Sequence, residues 1–240
     1  MQSIDTRTRL VIVDHITSPT AVILPVAAIA QACRDKGILC LIDGAHAPGM
    51  VPLNIDEIGA DWYTGNLHKW VCAPKGCAFL VASAQTETWT HPETTSHMHG
   101  HGFAEEFDWQ GTRDFAPWLT IPTAIEFVRG GFPGGIREHN HQLATWAQKK
   151  LCQDFGTRSI SPIDGSMIGS MATIPLPPAI SMRFPSAADF QATLYDAHKI
   201  EVPVIDWGGV WHARISAQAY NCPEDYFALS AAVCSEALVR

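Results

Sequence analysis

Leu10-Val11-Ile12-Val13-Asp14 and Ile38-Leu39-Cys40-Leu41-Ile42-Asp43 are two short apolar runs, each followed by an aspartate. An apolar run of this length without alternation reads as a strand covered on both faces, as in a parallel sheet. Between the two, Pro25 opens a segment with apolar residues at Val26, Ile29, Ala30 and Cys33; Arg34, Asp35 and Lys36 follow, and Gly37 closes it. Proline at the start, cations near the end and glycine beyond it mark a helix. Residues 10–42 therefore read as strand, helix, strand, and a crossover helix of this kind joins parallel neighbours. Asp43 then stands just past the carboxyl end of its strand, the edge where open parallel sheets bind ligands.

Working outward, Asp61-Trp62-Tyr63-Thr64 reads as a third strand, ending at the polar loop Gly65-Asn66-Leu67-His68-Lys69. Pro74-Lys75-Gly76 is a turn, and residues 77–81 form a strand that is a hairpin partner or a sheet neighbour. Residues 85–114 are polar and His-rich and read as one long loop, a length that is usually functional or mobile. Helical patterns return over 116–128 and 136–155, separated by Gly130-Gly131-Phe132-Pro133-Gly134-Gly135. That segment is the expected boundary: residues 1–135 as part of a large α/β domain with a mostly parallel sheet, and 136–240 as a small α+β domain. The second part reads as a strand (171–176), a helix (187–197), strands at 201–204 and 212–216, and a last helix from Pro223.

Composition narrows the function classes. The 240 residues are 47% hydrophobic and 17% charged, which suits a chain with a buried core. A net charge of −8 with only 16 Lys+Arg and no basic run argues against a nucleic-acid partner. Apolar stretches are too short to span a membrane, and Met1-Gln2-Ser3-Ile4-Asp5 lacks the pattern of a secretory leader. Seven cysteines are scattered without C-x-x-C spacing, as expected of reduced thiols in a cytoplasmic protein. His91, His97, His99 and His101 raise the question of a metal enzyme. The stretch carries no carboxylate base within a recognisable motif, and a flexible loop holds ligands poorly, so no metal is expected.

Three groups of residues could carry chemistry. The first is Asp43-Gly44-Ala45-His46 with Asn66-Leu67-His68-Lys69, both at strand ends on one edge of the sheet. A lysine amine and a carboxylate suit pyridoxal 5′-phosphate (PLP): the amine holds the cofactor aldehyde, and the carboxylate stabilises the protonated pyridine nitrogen. Taken alone, Asp43 also fits a helix cap and Lys69 a solvated loop residue. The second is Trp109-Gln110-Gly111-Thr112-Arg113-Asp114, which suits either an anion or an ordinary helix entry. The third is Arg214 in Trp211-His212-Ala213-Arg214-Ile215-Ser216, an arginine inside an apolar strand. It needs an anionic partner, whether a structural carboxylate or a ligand's.

Together these segments resemble the class V aminotransferase family of fold-type I PLP enzymes. The resemblance rests on Ile42-Asp43-Gly44-Ala45-His46-Ala47-Pro48-Gly49, Tyr63-Thr64-Gly65-Asn66-Leu67-His68-Lys69-Trp70, Ala73-Pro74-Lys75-Gly76, Trp109–Asp114 and Arg214-Ile215-Ser216-Ala217-Gln218-Ala219-Tyr220-Asn221. It implies Lys69 as the cofactor lysine and Asp43 as the partner of the ring nitrogen. It places His46 near the cofactor's phenolic oxygen, His68 and Asn66 at the phosphate, and Thr112 at the phosphate across a dimer interface. Arg214 would clamp a substrate carboxylate, and Ser18 would lie near the ring. A homodimer acting on an amino-acid-like substrate follows from the same resemblance.

The wording around Lys69 and at Tyr220-Asn221 is closest to the isopenicillin N epimerase branch, so an epimerase is the leading expectation. A carbon–sulfur lyase and an inactive remnant are the alternatives. A cysteine desulfurase is disfavoured, because residues 199–213 contain no cysteine ahead of Arg214. Family members carry a long stretch before the segment that begins here, so the chain is expected to be truncated at its N-terminal side or completed by a partner.

Overall fold

The computed structural model describes residues 4–238; the first three residues of the stretch read above for a leader lie outside it. Contacts divide the chain into two units. One comprises the chain up to Ile16 with Leu24–Phe127, and the other comprises Thr17–Ile23 with the chain from Val128 onward. The glycine-rich segment 130–135 thus falls inside the second unit.

The first unit is built on a four-stranded sheet in the order β1 (Leu10–Asp14), β2 (Leu39–Asp43), β3 (Trp62–Asn66), β4 (Ala78–Ala82). β1, β2 and β3 run parallel, and β4 returns antiparallel to β3, so the hairpin expected across Pro74-Lys75-Gly76 is present. α1 (Val26–Arg34) is the crossover between β1 and β2 and buries Val26, Ala30 and Cys33. A short α2 (Ile55–Ile58) precedes β3; Asn54 caps it by accepting from the Glu57 amide. The core of the sheet is Cys40, Ile42, Trp62 and Tyr63, all less than 9% exposed.

Residues 85–114 are more ordered than a plain loop. They contain a 3-10 turn at Glu87–Trp89 and a helix, α3 (Phe103–Asp108). The helix expected over 116–128 is two: α4 (Ala116–Leu119) and α5 (Ile121–Gly130). Pro122 has no amide to donate to Trp118, so a single helix cannot run through that turn.

The second unit carries a three-stranded antiparallel sheet in the order β5 (Met171–Pro175), β7 (Val210–Ser216), β6 (Val204–Trp207). α6 (Ile136–Phe155) and α9 (Pro223–Leu238) pack with it, along with α7 (Pro178–Arg183) and α8 (Ala187–His198). Its core joins Leu143, Leu151, Ile174, Phe190, Leu194, Ile215 and Val233. Among the described residues no helix is long and apolar enough to cross a membrane.

Candidate functional site

The carboxyl ends of the parallel strands gather the residues singled out in the first unit. Asp43 is the last residue of β2 and pairs in register with Asp14, the last residue of β1. Residues paired across parallel strands project to the same face, so the two carboxylates are neighbours. Burial raises the Asp14 carboxyl above its ordinary range, the charge of Asp43 raises it further, and Lys69 opposes both. Asp43 and Lys69 therefore lie within electrostatic reach of one carboxyl group.

Asp43 is oriented locally: its Oδ1 accepts the Ala45 amide at 2.9 Å. The chain leaves β2 through Gly44, whose amide donates to the Thr64 carbonyl at 2.8 Å. A Cβ at Gly44 would lie 2.2 Å from the Tyr63 hydroxyl, so only glycine lets that ring pass. Tyr63 is 1% exposed, and its hydroxyl bonds His15 Nδ1 at 2.8 Å. Burial, and then Asp43, pushes the phenol up, keeping it protonated.

Beside Asp43, His46 bridges two residues of the loop after β3. Trp70 Nε1 donates to His46 Nδ1 at 3.3 Å, and His46 Nε2 stands 3.3 Å from Lys69 Nζ. An indole nitrogen only donates. A neutral His46 must then carry its proton on Nε2, on the side of the Lys69 amine. His68 Nδ1 donates to the Cys77 carbonyl at 3.1 Å, which leaves Nε2 for a ligand. Asn66 closes β3, paired with Ala78. Thr112 is exposed and shares no hydrogen bond with the Lys69 group among the described residues.

In the second unit, Arg214 on β7 donates from Nη1 to the Ser18 carbonyl at 2.7 Å and to the Ser18 hydroxyl at 3.1 Å. Ser18 sits in the loop Thr17–Ile23, tied to this unit by Thr173 Oγ1 donating to the Pro19 carbonyl at 3.0 Å. Burial works against the Arg214 charge, its Nε is buried without a partner, and no carboxylate forms an ion pair with it among the described residues. Of the two readings open from sequence, the structural salt bridge is not formed among the described residues.

Sequence reasoning did not single out Trp70, Asp14 or Tyr63. Trp70 adjoins Lys69, and Asp14 ends the strand quoted first, so adjacency and strand register were the signals available. A cleft of about 670 Å3 lined by His15, Pro25, Leu53 and Asn54 excludes Lys69 and Asp43. The thiols of Cys72, Cys77 and Cys152 are raised by burial, and that of Cys40 is pushed up to about 12 by burial and its neighbour Cys33. Cys222 is raised by its hydrogen bond with Glu224 and by burial. Each is the reverse of an activated nucleophile.

A family model described as aminotransferase class-V matches residues 1–189. A probable chloroplastic L-cysteine desulfhydrase of Arabidopsis thaliana is 34% identical over 95% of this chain and 50% of its own length. An L-cysteine desulfhydrase of the same plant is 36% identical over 94% of this chain and 54% of its own. An isopenicillin N epimerase of Amycolatopsis lactamdurans is 31% identical over 90% of this chain and 56% of its own. The chain thus spans about half the length of the curated relatives it matches. In structure, the apo cysteine desulfurase of Thermococcus onnurineus NA1 superposes with a TM-score of 0.74 at 20% identity, over 96% of this chain and 60% of that one. At that identity the likeness establishes the fold, which is fold type I.

Proposed function

The chain belongs to the class V aminotransferase family of PLP-dependent enzymes, and from that premise we propose that it acts at the α-carbon of an amino-acid-like substrate as an isopenicillin N epimerase-like enzyme. The observation that carries the reading is the grouping of Lys69, His46 and the Asp14–Asp43 pair at one edge of the parallel strands. The donor set fits the cofactor: an amine for its aldehyde, a carboxylate for its ring nitrogen, and the His68 imidazole for its phosphate.

When bound, PLP takes up the electron pair released at the substrate α-carbon. Lys69 would hold the cofactor through its amine and, when free, would be placed to take the α-proton. His46, held by Trp70, keeps the Lys69 nitrogen oriented. Asp43 would favour a proton on the ring nitrogen through its charge. Arg214 receives the substrate carboxylate, and Ser18 keeps the guanidinium in place until then. Inversion of the carbon would require a second acid on the face opposite Lys69 to deliver a proton there.

A carbon–sulfur lyase shares every step up to loss of the α-proton and then expels the sulfur substituent. That second reading is supported by the desulfhydrase names at 34% and 36% identity. Desulfuration by a protein thiol is not supported: residues 199–213 hold no cysteine, and the five thiols described above are all raised.

The test begins with the cofactor. PLP added to the protein should give a visible absorption band, and borohydride should fix the label on Lys69; label on Lys75 instead would overturn the assignment. With amino-acid substrates in deuterated water, exchange with inversion at the α-carbon identifies the epimerase. Sulfide and pyruvate from L-cysteine identify the lyase. A labelled protein that does neither has the fold without the activity.

A further inference from the structure

The histidine-rich stretch gave no carboxylate by motif, yet the fold supplies one from fifteen residues downstream of His91. Glu106, on α3, is only 3% exposed in its side chain. His91 Nδ1 meets its Oε2 at 2.8 Å, and His99 Nδ1 approaches the same oxygen to 3.6 Å. The two nitrogens and the oxygen all lie within 4.8 Å of one another. The other oxygen, Oε1, accepts the Gly100 amide at 2.9 Å. All of these residues belong to the first unit.

We propose that His91, His99 and Glu106 form a binding site for a zinc-type divalent cation. Two imidazole nitrogens and one carboxylate oxygen are a donor set that zinc uses with a water in the fourth position. Magnesium and calcium prefer oxygen ligands, so they suit this set poorly. Tetrahedral zinc at about 2.0–2.1 Å from each donor needs donors about 3.3 Å apart. The two N–O contacts of 2.8 and 3.6 Å bracket that spacing, and all three donors lie within 4.8 Å, so the histidine rings would close in on the ion.

A simple histidine–carboxylate clasp accounts for His91 but not for His99, whose nitrogen points at an oxygen beyond hydrogen-bond range. The Gly100 amide fixes the carboxylate from behind, as an outer partner does in built metal sites. The half-exposed histidine rings leave the fourth position to water. Bound there, the ion would pin the segment 91–106 that leads into Thr112.

The test titrates Zn2+ into the full chain, metal-free and with its thiols reduced, against a chromophoric chelator. Co2+ is used alongside to read the ligand type. Expected is one ion per chain, with a Co2+ spectrum of tetrahedral nitrogen and oxygen ligation and no thiolate band. His99→Ala is the decisive variant, because the His91–Glu106 hydrogen bond survives it. It should weaken binding at least about tenfold, since even outer partners cost that much. His97→Ala and His101→Ala should bind like the parent. Failure to bind one equivalent, a thiolate spectrum, or a His99→Ala protein that binds as tightly would each overturn the site.

Discussion

Asp43 has one oxygen engaged with the Ala45 amide, and its charge, like that of Lys69, acts on the neighbouring Asp14 carboxyl. A neutral isostere preserves the first contact, since an amide oxygen accepts as well as a carboxylate. In the proposed role, what Asp43→Asn would remove is the charge that favours a proton on the cofactor ring nitrogen. An opposite charge of this kind shifts a pKa by roughly one to three units, and each unit is worth about 1.4 kcal/mol. The expected loss in α-deuterium exchange is therefore about ten- to a thousandfold, with thermal stability little changed. Exchange at the parental rate in a folded Asp43→Asn protein would reduce the residue to a structural cap. The placement of Asp43 and Lys69 at and beyond strand ends was legible, because Asp43 follows an apolar run and Lys69 the loop after the strand expected at 61–64. The Trp70–His46 contact was not, because it joins positions 24 apart in sequence whose meeting depends on where two loops turn.

At the scale of elements, the segment after β4 departs most from its reading as a plain loop. It contains a 3-10 turn and α3, and between α3 and the end of α4 Trp109, Phe115 and Leu119 are 52%, 43% and 79% exposed. Thr112 lies in the same stretch, with Arg113 stacked 4.4 Å over the Trp118 ring. A run of exposed large apolar side chains beside a polar motif suits a surface that a second copy covers. We propose that the chain dimerises through this segment. Sedimentation at micromolar concentration should give a dimer, and Leu119→Glu should shift it to monomer; a monomeric parent would count against the surface. Strand positions in the second unit also moved. A strand was expected at 201–204, but β6 begins at Val204 and forms a hairpin with β7. Gly208 and Gly209, at φ of 64° and 78°, make the two-residue turn, and Pro203, which lacks an amide, stays before the ladder.

Across the molecule, each unit buries a histidine that resists protonation. Burial lowers His15; burial also lowers His212, partly offset by its bonds to the Val210 and Ile205 backbone and by Asp206. A group whose folded pKa is depressed binds its proton more readily when unfolded. Its contribution is complete above the unfolded value, about 6.5, and is lost as pH falls through the folded value. Urea midpoints should therefore decline as the solution is taken below about pH 6.5, in both units. His15→Gln and His212→Gln should each flatten the decline; a parental midpoint constant down to pH 5 would contradict the burial argument.

Local signals decided much of this protein by sequence alone. The apolar runs of β1 and β2, the proline and glycine that bound α1, and the order of the Asp43, Lys69, Thr112 and Arg214 motifs all lie within a few residues of what they determine. Strand-end position then follows, because a chain leaving a parallel strand must turn at its carboxyl edge. The tertiary structure decided what needs distant partners. It brought Asp14 into register with Asp43, aimed Trp70 at His46, gave Arg214 the Ser18 carbonyl in place of a carboxylate, and turned Glu106 toward two histidines. Spacing in sequence cannot reveal such contacts, because they depend on strand pairing and helix placement rather than on any local preference of the residues that make them.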